Sequence, residues 1–147
     1  MKIIDCFMYF DEDMLLDLRL NIMNKFVDKF IICEATYNHK GLNKNLNFDI
    51  KKFKKFENKI IYIVLNEQPP ELKNIEKNNI SNILHNSITR DIFQRNYLMK
   101  KIENFEENDL ILISDLDEIP NLENFKKIKN INIIFQKMFF YKFNLIY

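Results

Sequence analysis

The stretch Leu110-Ile111-Leu112-Ile113-Ser114-Asp115-Leu116-Asp117-Glu118-Ile119-Pro120 joins an apolar run to an acidic one. Four consecutive apolar residues with a high strand preference indicate a strand that is buried on both faces, which is typical of a parallel sheet. Helices cover the faces of such a sheet, and ligands bind beyond the carboxyl ends of its strands. The stretch therefore predicts an α/β fold with acidic residues at its ligand-binding edge.

The sequence before this stretch alternates strand-like and helix-like segments. Three further apolar runs predict strands, at Lys2 to Phe10, Phe30 to Cys33 and Lys59 to Leu65. Apolar residues at helical spacing predict one helix from Met14 to Phe26, a short basic helix from Phe48 to Phe56, and a longer helix from Ser87 or Thr89 to Ile102. This order predicts a mostly parallel sheet flanked by helices.

Four segments carry weaker signals. They predict an exposed loop from Tyr37 to Asn47, a mobile surface segment from Glu71 to Asn86, a short helix from Asn121 to Lys129, and one long or two short strands from Ile131 to Tyr147. No repeat and no break in composition divides the chain, so its 147 residues predict a single domain, 1–147.

Composition and charge exclude several classes of function. Lys and Arg number 22 against 21 Asp and Glu, so a net charge of +1 gives no reason to expect a nucleic-acid partner. No uncharged apolar stretch approaches the roughly 20 residues that cross a bilayer, and the N-terminus lacks the pattern of a secretory signal. We therefore expect a cytoplasmic protein with no membrane span, in which Cys6 and Cys33 are small buried hydrophobic residues.

Gly41 is the single glycine of the sequence. Walker loops and dinucleotide-binding loops need several glycines, because their backbone amides must approach phosphate closely. Both kinds of loop are excluded. A nucleotide diphosphate would therefore need another partner for its charge, such as a divalent cation bound by carboxylates.

Asp115 and Asp117 are the residues best placed to bind that cation. Side chains two positions apart in an extended segment project to the same side, so two carboxylates can converge on one ion. Mn²⁺ and Mg²⁺ prefer oxygen ligands and bridge to phosphate. Two alternatives are an exposed acidic turn and a phosphohydrolase of the haloacid dehalogenase type, although the motif of the latter follows the first strand.

The sequence resembles glycosyltransferase family 17, the β-1,4-N-acetylglucosaminyltransferase-like proteins. The resemblance rests on blocks in family order: Ile4 to Phe10 with Glu12, Leu18 to Asn21, Asp28 to Phe30, Glu34 to Tyr37 with His39, Leu46 to Phe48, Lys59 to Tyr62, Gln94 to Asn96 and Leu112 to Pro120. It implies a GT-A type, Rossmann-like fold, a UDP-sugar donor such as UDP-N-acetylglucosamine, a divalent metal (Mn²⁺ or Mg²⁺), and inverting transfer to a hydroxyl of a glycan acceptor.

Chemistry and matching position together suggest roles for individual residues. Asp117 is expected to bind the metal, and Asp115 to contact the donor ribose, the metal or a metal-bound water. Four further candidates each have a structural alternative. Glu118 is a third metal ligand or else a solvated carboxylate, and Glu34 contacts uracil or ribose or else forms a salt bridge. Arg95 contacts the diphosphate or else lies at the surface, Tyr9 contacts uracil or else packs in the core, and His39 is expected to contact the sugar or the acceptor.

No general base can be identified in the sequence. An inverting transferase needs one to take the proton of the acceptor hydroxyl, so a non-catalytic nucleotide-sugar or glycan-binding protein of the same fold is the alternative function. The sequence ends 30 residues after Asp117, whereas members of the family that it resembles continue further. We therefore expect a shortened acceptor part, and self-association through the apolar segment from Phe135 to Tyr147.

Overall fold

The computed structural model of the chain describes residues 1–75, 79–100, 102, 106–126 and 131–135. In chain order its elements are β1 (Ile3–Met8), α1 (Asp13–Met23), β2 (Lys29–Ala35), a 3₁₀ helix (Ile50–Phe56), β3 (Ile60–Leu65), α2 (Ile80–Lys100) and β4 (Leu110–Ile113). The four strands and the three helical segments lie where the apolar patterns predict them, with differences at the ends.

The strands form one sheet in the order β3-β2-β1-β4, and every neighbouring pair is parallel. The chain moves from β1 through β2 to β3 on one side, and β4 then returns to the other side of β1. This arrangement confirms the predicted α/β, Rossmann-like fold. The reversal of direction places a topological switch point between β1 and β4, where such sheets bind their ligands.

Alternate side chains of β1 contact different helices. Ile4 and Cys6 belong to a buried cluster that includes Leu98 of α2, whereas Asp5 and Phe7 contact Arg19 of α1. Successive side chains of a strand point to opposite faces of the sheet. The two helices therefore flank the sheet on opposite faces, as the sequence predicts.

Both cysteines are free and buried within the strands, which confirms the prediction for them. Burial raises the pKa of the Cys33 thiol to about 12, although Gln94 opposes the shift with a hydrogen bond. Burial likewise raises the pKa of Cys6. Thiols of this kind pack as apolar groups, because the reactive thiolate is scarcely populated at neutral pH.

Helix α2 begins earlier than the sequence predicts. Residues 80–86, predicted to be a mobile surface segment, form its first turns. Asn79 caps the helix, since its Oδ1 accepts a hydrogen bond from the backbone N–H of Asn82 at 3.1 Å. Pattern analysis missed these turns because their apolar residues are uncovered, with Ile80 exposed to 77% and Leu84 to 60%.

The predicted helix from Asn121 to Lys129 is wrong for residues 121–126, which form a turn at Glu123 and Asn124. Asn121 supplies the local reason, because its Oδ1 accepts the backbone N–H of Glu123 at 3.0 Å and favours a turn over a helix. Residues 131–135 are not in a strand. Residues 127–130 and 136–147, on which the remaining parts of the two predictions fall, lie outside the described residues.

The chain divides into two compact units, Met1–Asp117 and Glu118–Tyr147. The first contains the whole sheet and the helices described above. That the 147 residues act as one domain stays a prediction. In the described part of the chain, no helix combines the length and the apolar character needed to cross a membrane.

Candidate functional site

A cavity of about 640 Å³ lies in the first unit, beyond the carboxyl ends of the strands. Residues that follow β1, β2 and β4 line it together with one side of α2. Its size falls within the range of roughly 300 to 1,000 Å³ found for small-molecule sites. The lining residues are Met8, Tyr9, Phe10, Glu12, Leu15, Ala35, Tyr37, Asn38, His39, Lys44, Ser87, Ile88, Arg90, Asp91, Gln94, Arg95, Asp115, Leu116 and Asp117.

Asp115 and Asp117 both line this cavity. β4 ends at Ile113, so the two residues lie in the loop that follows β4, the strand next to β1 at one end of the sheet. The side chain of Asp115 is 47% exposed, and Asp117 is exposed. The pair therefore has the position that the sequence predicts, at the edge of the sheet and open to a ligand.

Arg19 of α1 fixes the backbone of this acidic loop through hydrogen bonds to its carbonyl groups. It is fully buried on α1 and forms a two-point ion pair with Asp5 of β1, with Nε–Oδ2 at 2.9 Å and Nη2–Oδ1 at 2.7 Å. Its Nη1 donates to the carbonyl oxygens of Asp115 at 2.6 Å and Leu116 at 3.1 Å. Its Nη2 also donates to Ser114 Oγ at 2.7 Å. One side chain thus joins β1, α1 and the loop after β4.

The ring of Phe7 lies against the same guanidinium, whose Cζ is 4.5 Å from the ring centroid. A buried two-point pair of this kind satisfies both charges, and removing one partner alone typically costs about 3 to 5 kcal/mol because the other is left unpaired. The position of the acidic loop is therefore coupled to the stability of the core.

Arg95 contacts two carboxylates at the edge of the cavity. Its Nη2 lies 2.6 Å from Asp115 Oδ1, and its Nε lies 3.3 Å from Asp91 Oδ2, one turn earlier on α2. The structure thus brings Arg95 into contact with Asp115. In this arrangement Arg95 orients Asp115, and its contact with a diphosphate stays a prediction.

Glu34 is fully buried and does not line the cavity. Its carboxylate accepts hydrogen bonds from the Lys44 ammonium, from the backbone N–H groups of Asn47 at 2.8 Å and Phe48 at 3.1 Å, and from the Tyr62 hydroxyl at 2.7 Å. These are the contacts of a residue that fixes the loop after β2. The ion pair with Lys44 matches the alternative of a salt-bridged carboxylate. A contact of Glu34 with uracil or ribose stays a prediction.

Tyr9 and His39 line the cavity from the loops after β1 and β2. The Tyr9 hydroxyl donates to Asp13 Oδ1 at 2.7 Å, and burial together with this bond raises the pKa of Tyr9. The His39 ring stacks on Phe10, with 6.5 Å between ring centroids. Both residues can contact a ligand in the cavity, although Tyr9 is also part of the core.

The described residues contain no group of three or more His, Cys, Asp or Glu side chains that could hold a metal ion. Besides Glu12 and Asp91, two carboxylates line the cavity from the loop after β4, those of Asp115 and Asp117. They fit a cation such as Mg²⁺, which commonly binds one or two carboxylates, several waters and substrate phosphates. Glu118 is exposed and belongs to the second unit, so its role as a third ligand stays a prediction.

Sequence reasoning assigned no individual role to Asp5, Arg19 or Arg90. Arg19 could have been found, because it lies between Leu16 and Met23 at helical spacing and so falls on the buried face of α1. A charged residue on an apolar face needs a buried partner, and Asp5 inside the first apolar run is the natural one. No comparable signal marks Arg90, whose contacts come from loops distant in sequence.

Comparison with known proteins adds one positive finding. The family model described as glycosyltransferase family 17 matches residues 1–147, the full sequence. Searches of curated proteins and of solved structures gave no significant match.

Proposed function

The chain belongs to glycosyltransferase family 17, and from this premise we propose that it transfers a sugar, N-acetylglucosamine, from a UDP-sugar donor to a glycan hydroxyl. We further propose that transfer inverts the anomeric configuration and depends on Mn²⁺ or Mg²⁺. The single observation that supports the proposal best is that Asp115 and Asp117 lie together at a cavity on the carboxyl edge of a parallel sheet.

In this proposal Asp115 and Asp117 would hold the divalent cation beside the diphosphate of the donor. When bound, the cation would offset the negative charge that develops on the departing nucleoside diphosphate. Because the proposal gives the cation only two protein ligands, we expect cation and nucleotide to bind together more tightly than either does alone.

Residues that hold the acidic loop, and others that line the cavity, would set the position of the donor. Arg19 fixes the carbonyl groups of the acidic loop, and Arg95 holds one oxygen of Asp115. Side chains held in this way need little rearrangement when the substrate binds, which lowers the free-energy cost of binding. We propose that Tyr9 contacts the uracil and that His39 contacts the sugar or the acceptor, since both residues line the cavity.

The test is calorimetric titration of the protein with UDP and UDP-N-acetylglucosamine, with and without Mn²⁺. We expect Asp117→Ala to weaken UDP binding in Mn²⁺ by roughly tenfold or more, because one carboxylate alone leaves the cation poorly anchored, and loss of even an outer partner of a metal site typically costs about 10- to 100-fold. The melting temperature should stay unchanged because Asp117 is exposed.

Asp17→Ala is the matched control, because Asp17 is an exposed aspartate on α1 that does not line the cavity. Equal UDP affinity in Mn²⁺ for wild type and folded Asp117→Ala would overturn the site. Metal-dependent donor binding without transfer to any glycan acceptor would favour the binding-protein alternative.

A further inference from the structure

Arg90 lies on α2 and lines the cavity, yet it is only 8% exposed. Its Nε donates to Gln68 Oε1 at 2.7 Å, and its Nη1 donates to the backbone carbonyl of His39 at 3.1 Å. Both acceptors are uncharged. The positive charge of Arg90 is therefore buried among neutral partners.

No described carboxylate forms an ion pair with Arg90. Arg95, five residues later on the same helix, instead pairs with both Asp91 and Asp115. Charged side chains are seldom buried without a partner, since desolvation of the charge is costly. Of the two arginines that line the cavity, Arg90 is thus the one with charge left to pair with a ligand.

Gly41 keeps the guanidinium of Arg90 in a fixed place. A Cβ added to Gly41 would lie 2.3 Å from Arg90 Nη2 and 2.7 Å from Arg90 Cζ. The guanidinium of Arg90 therefore packs directly on the backbone of Gly41. Gly41 has a φ of 82°, a conformation that glycine adopts without strain. A guanidinium held by two hydrogen bonds and a close backbone contact loses little freedom when a ligand binds.

We infer that Arg90 is an anion-binding residue of the cavity, and that its Nη2, which donates to no described residue, binds a phosphate or carboxylate oxygen of the substrate. The inference rests on the proposed function for the identity of the substrate. Arg90 and Arg95 are separated by about 7.5 Å along the helix axis, given a rise of 1.5 Å per residue. The anion subsite is therefore distinct from the position of Arg95 and Asp115.

The oxygen can come from the diphosphate of the donor or from the carboxylate of an acidic sugar. We propose to measure dissociation constants of uridine, UDP, UDP-glucose and UDP-glucuronate in Mn²⁺, and of inorganic pyrophosphate without metal, for wild type, Arg90→Gln and Arg90→Lys. If the diphosphate is the source, Arg90→Gln should weaken UDP and pyrophosphate by about tenfold and leave uridine unchanged. If the sugar is the source, only the preference for UDP-glucuronate over UDP-glucose should disappear.

Arg90→Lys keeps the charge and should recover part of the affinity. Gln68→Leu is the structural control, because it removes the acceptor of Arg90 Nε and a contact with Gly41 but leaves the charge. The inference would be overturned if Arg90→Gln bound all five ligands with wild-type affinity. It would also be overturned if Arg90→Gln and Gln68→Leu lost affinity equally and the loss extended to uridine. Because pyrophosphate binding needs neither uracil nor metal, its loss in Arg90→Gln would support the subsite even if UDP and Mn²⁺ binding failed.

Discussion

Tyr37 has a buried hydroxyl that finds no hydrogen-bond partner among the described residues. The residue is 5% exposed, and burial raises the pKa of its phenol to about 12. A buried donor without an acceptor costs about 1 to 3 kcal/mol relative to the solvated group. At this position, therefore, burial of the aromatic ring stabilises the folded protein, whereas burial of the hydroxyl destabilises it.

Tyr37→Phe should leave the free energy of unfolding unchanged or raise it by about 1 kcal/mol, because it removes only the unsatisfied oxygen. Urea denaturation measures the change. Tyr62→Phe is the matched control, since the Tyr62 hydroxyl donates to Glu34 Oε2 at 2.7 Å and its loss should destabilise the protein. Equal destabilisation by the two variants would show that the Tyr37 oxygen has a partner after all.

At the scale of elements, the pair formed by Asp5 and Arg19 connects a strand and a helix to the loop after another strand. Arg19→Met alone leaves the Asp5 charge buried and should cost about 3 to 5 kcal/mol. Replacing both residues by apolar ones, as in Asp5→Leu with Arg19→Met, should restore much of that stability. The acidic loop nevertheless loses its donor to two carbonyl groups.

We therefore expect the double variant to fold and to bind UDP in Mn²⁺ about tenfold more weakly than wild type, because the loop carrying Asp115 and Asp117 is no longer fixed. Thermal unfolding and calorimetry measure the two effects separately. A double variant with wild-type UDP affinity would show that the loop does not need Arg19 for its position.

Elements with a covered apolar face could be predicted from the sequence, and elements without one could not. The run from Leu110 to Ile113 could be recognised as a strand because all four residues are apolar strand formers. The structure buries Leu110 and Leu112 but leaves Ile113 46% exposed, so burial on both faces, which the sequence predicts, is wrong for this strand. The first turns of α2 were missed because Ile80 and Leu84 are exposed, so their spacing matches no packed partner. The helix begins there because Asn79 caps it, a local signal that a search for amphipathic faces passes over.

The same distinction applies to the candidate site. Asp115 and Asp117 could be found because two carboxylates after a buried strand form a local pattern. Arg90 is held by hydrogen bonds to Gln68 and His39, which are distant from it in sequence. No local sequence pattern predicts such contacts. Long-range polar contacts of this kind depend on the tertiary fold.

For the whole molecule, the described part of the second unit presents several uncovered apolar side chains. Ile131, Ile133 and Phe135 are exposed, the last to 92%. Clustered apolar exposure favours association with another surface. Self-association through the segment from Phe135 to Tyr147 stays a prediction, since residues 136–147 lie outside the described part of the chain.

Sedimentation velocity over a range of concentrations tests that prediction. We expect a concentration-dependent dimer or larger species, and Phe135→Ser should shift the distribution toward monomer by removing apolar surface from the contact. Ile80→Ser is the matched control, because Ile80 is similarly exposed but lies on α2. A monomer at every concentration, or equal effects of the two variants, would contradict the prediction.

The parallel pairing of β1 with β4 also has a consequence for the order of events in folding. The hydrogen bond from the backbone N–H of Lys2 to Asp109 Oδ1 at this junction spans 107 positions of sequence. During synthesis, β1 can pair with β2 as soon as Ala35 has left the ribosome, whereas its other edge stays open until β4 follows. Open strand edges template aggregation. A nascent chain halted before residue 110 would therefore be vulnerable to edge-to-edge association, and the acidic loop would be among the last parts of the sheet edge to assume its shape.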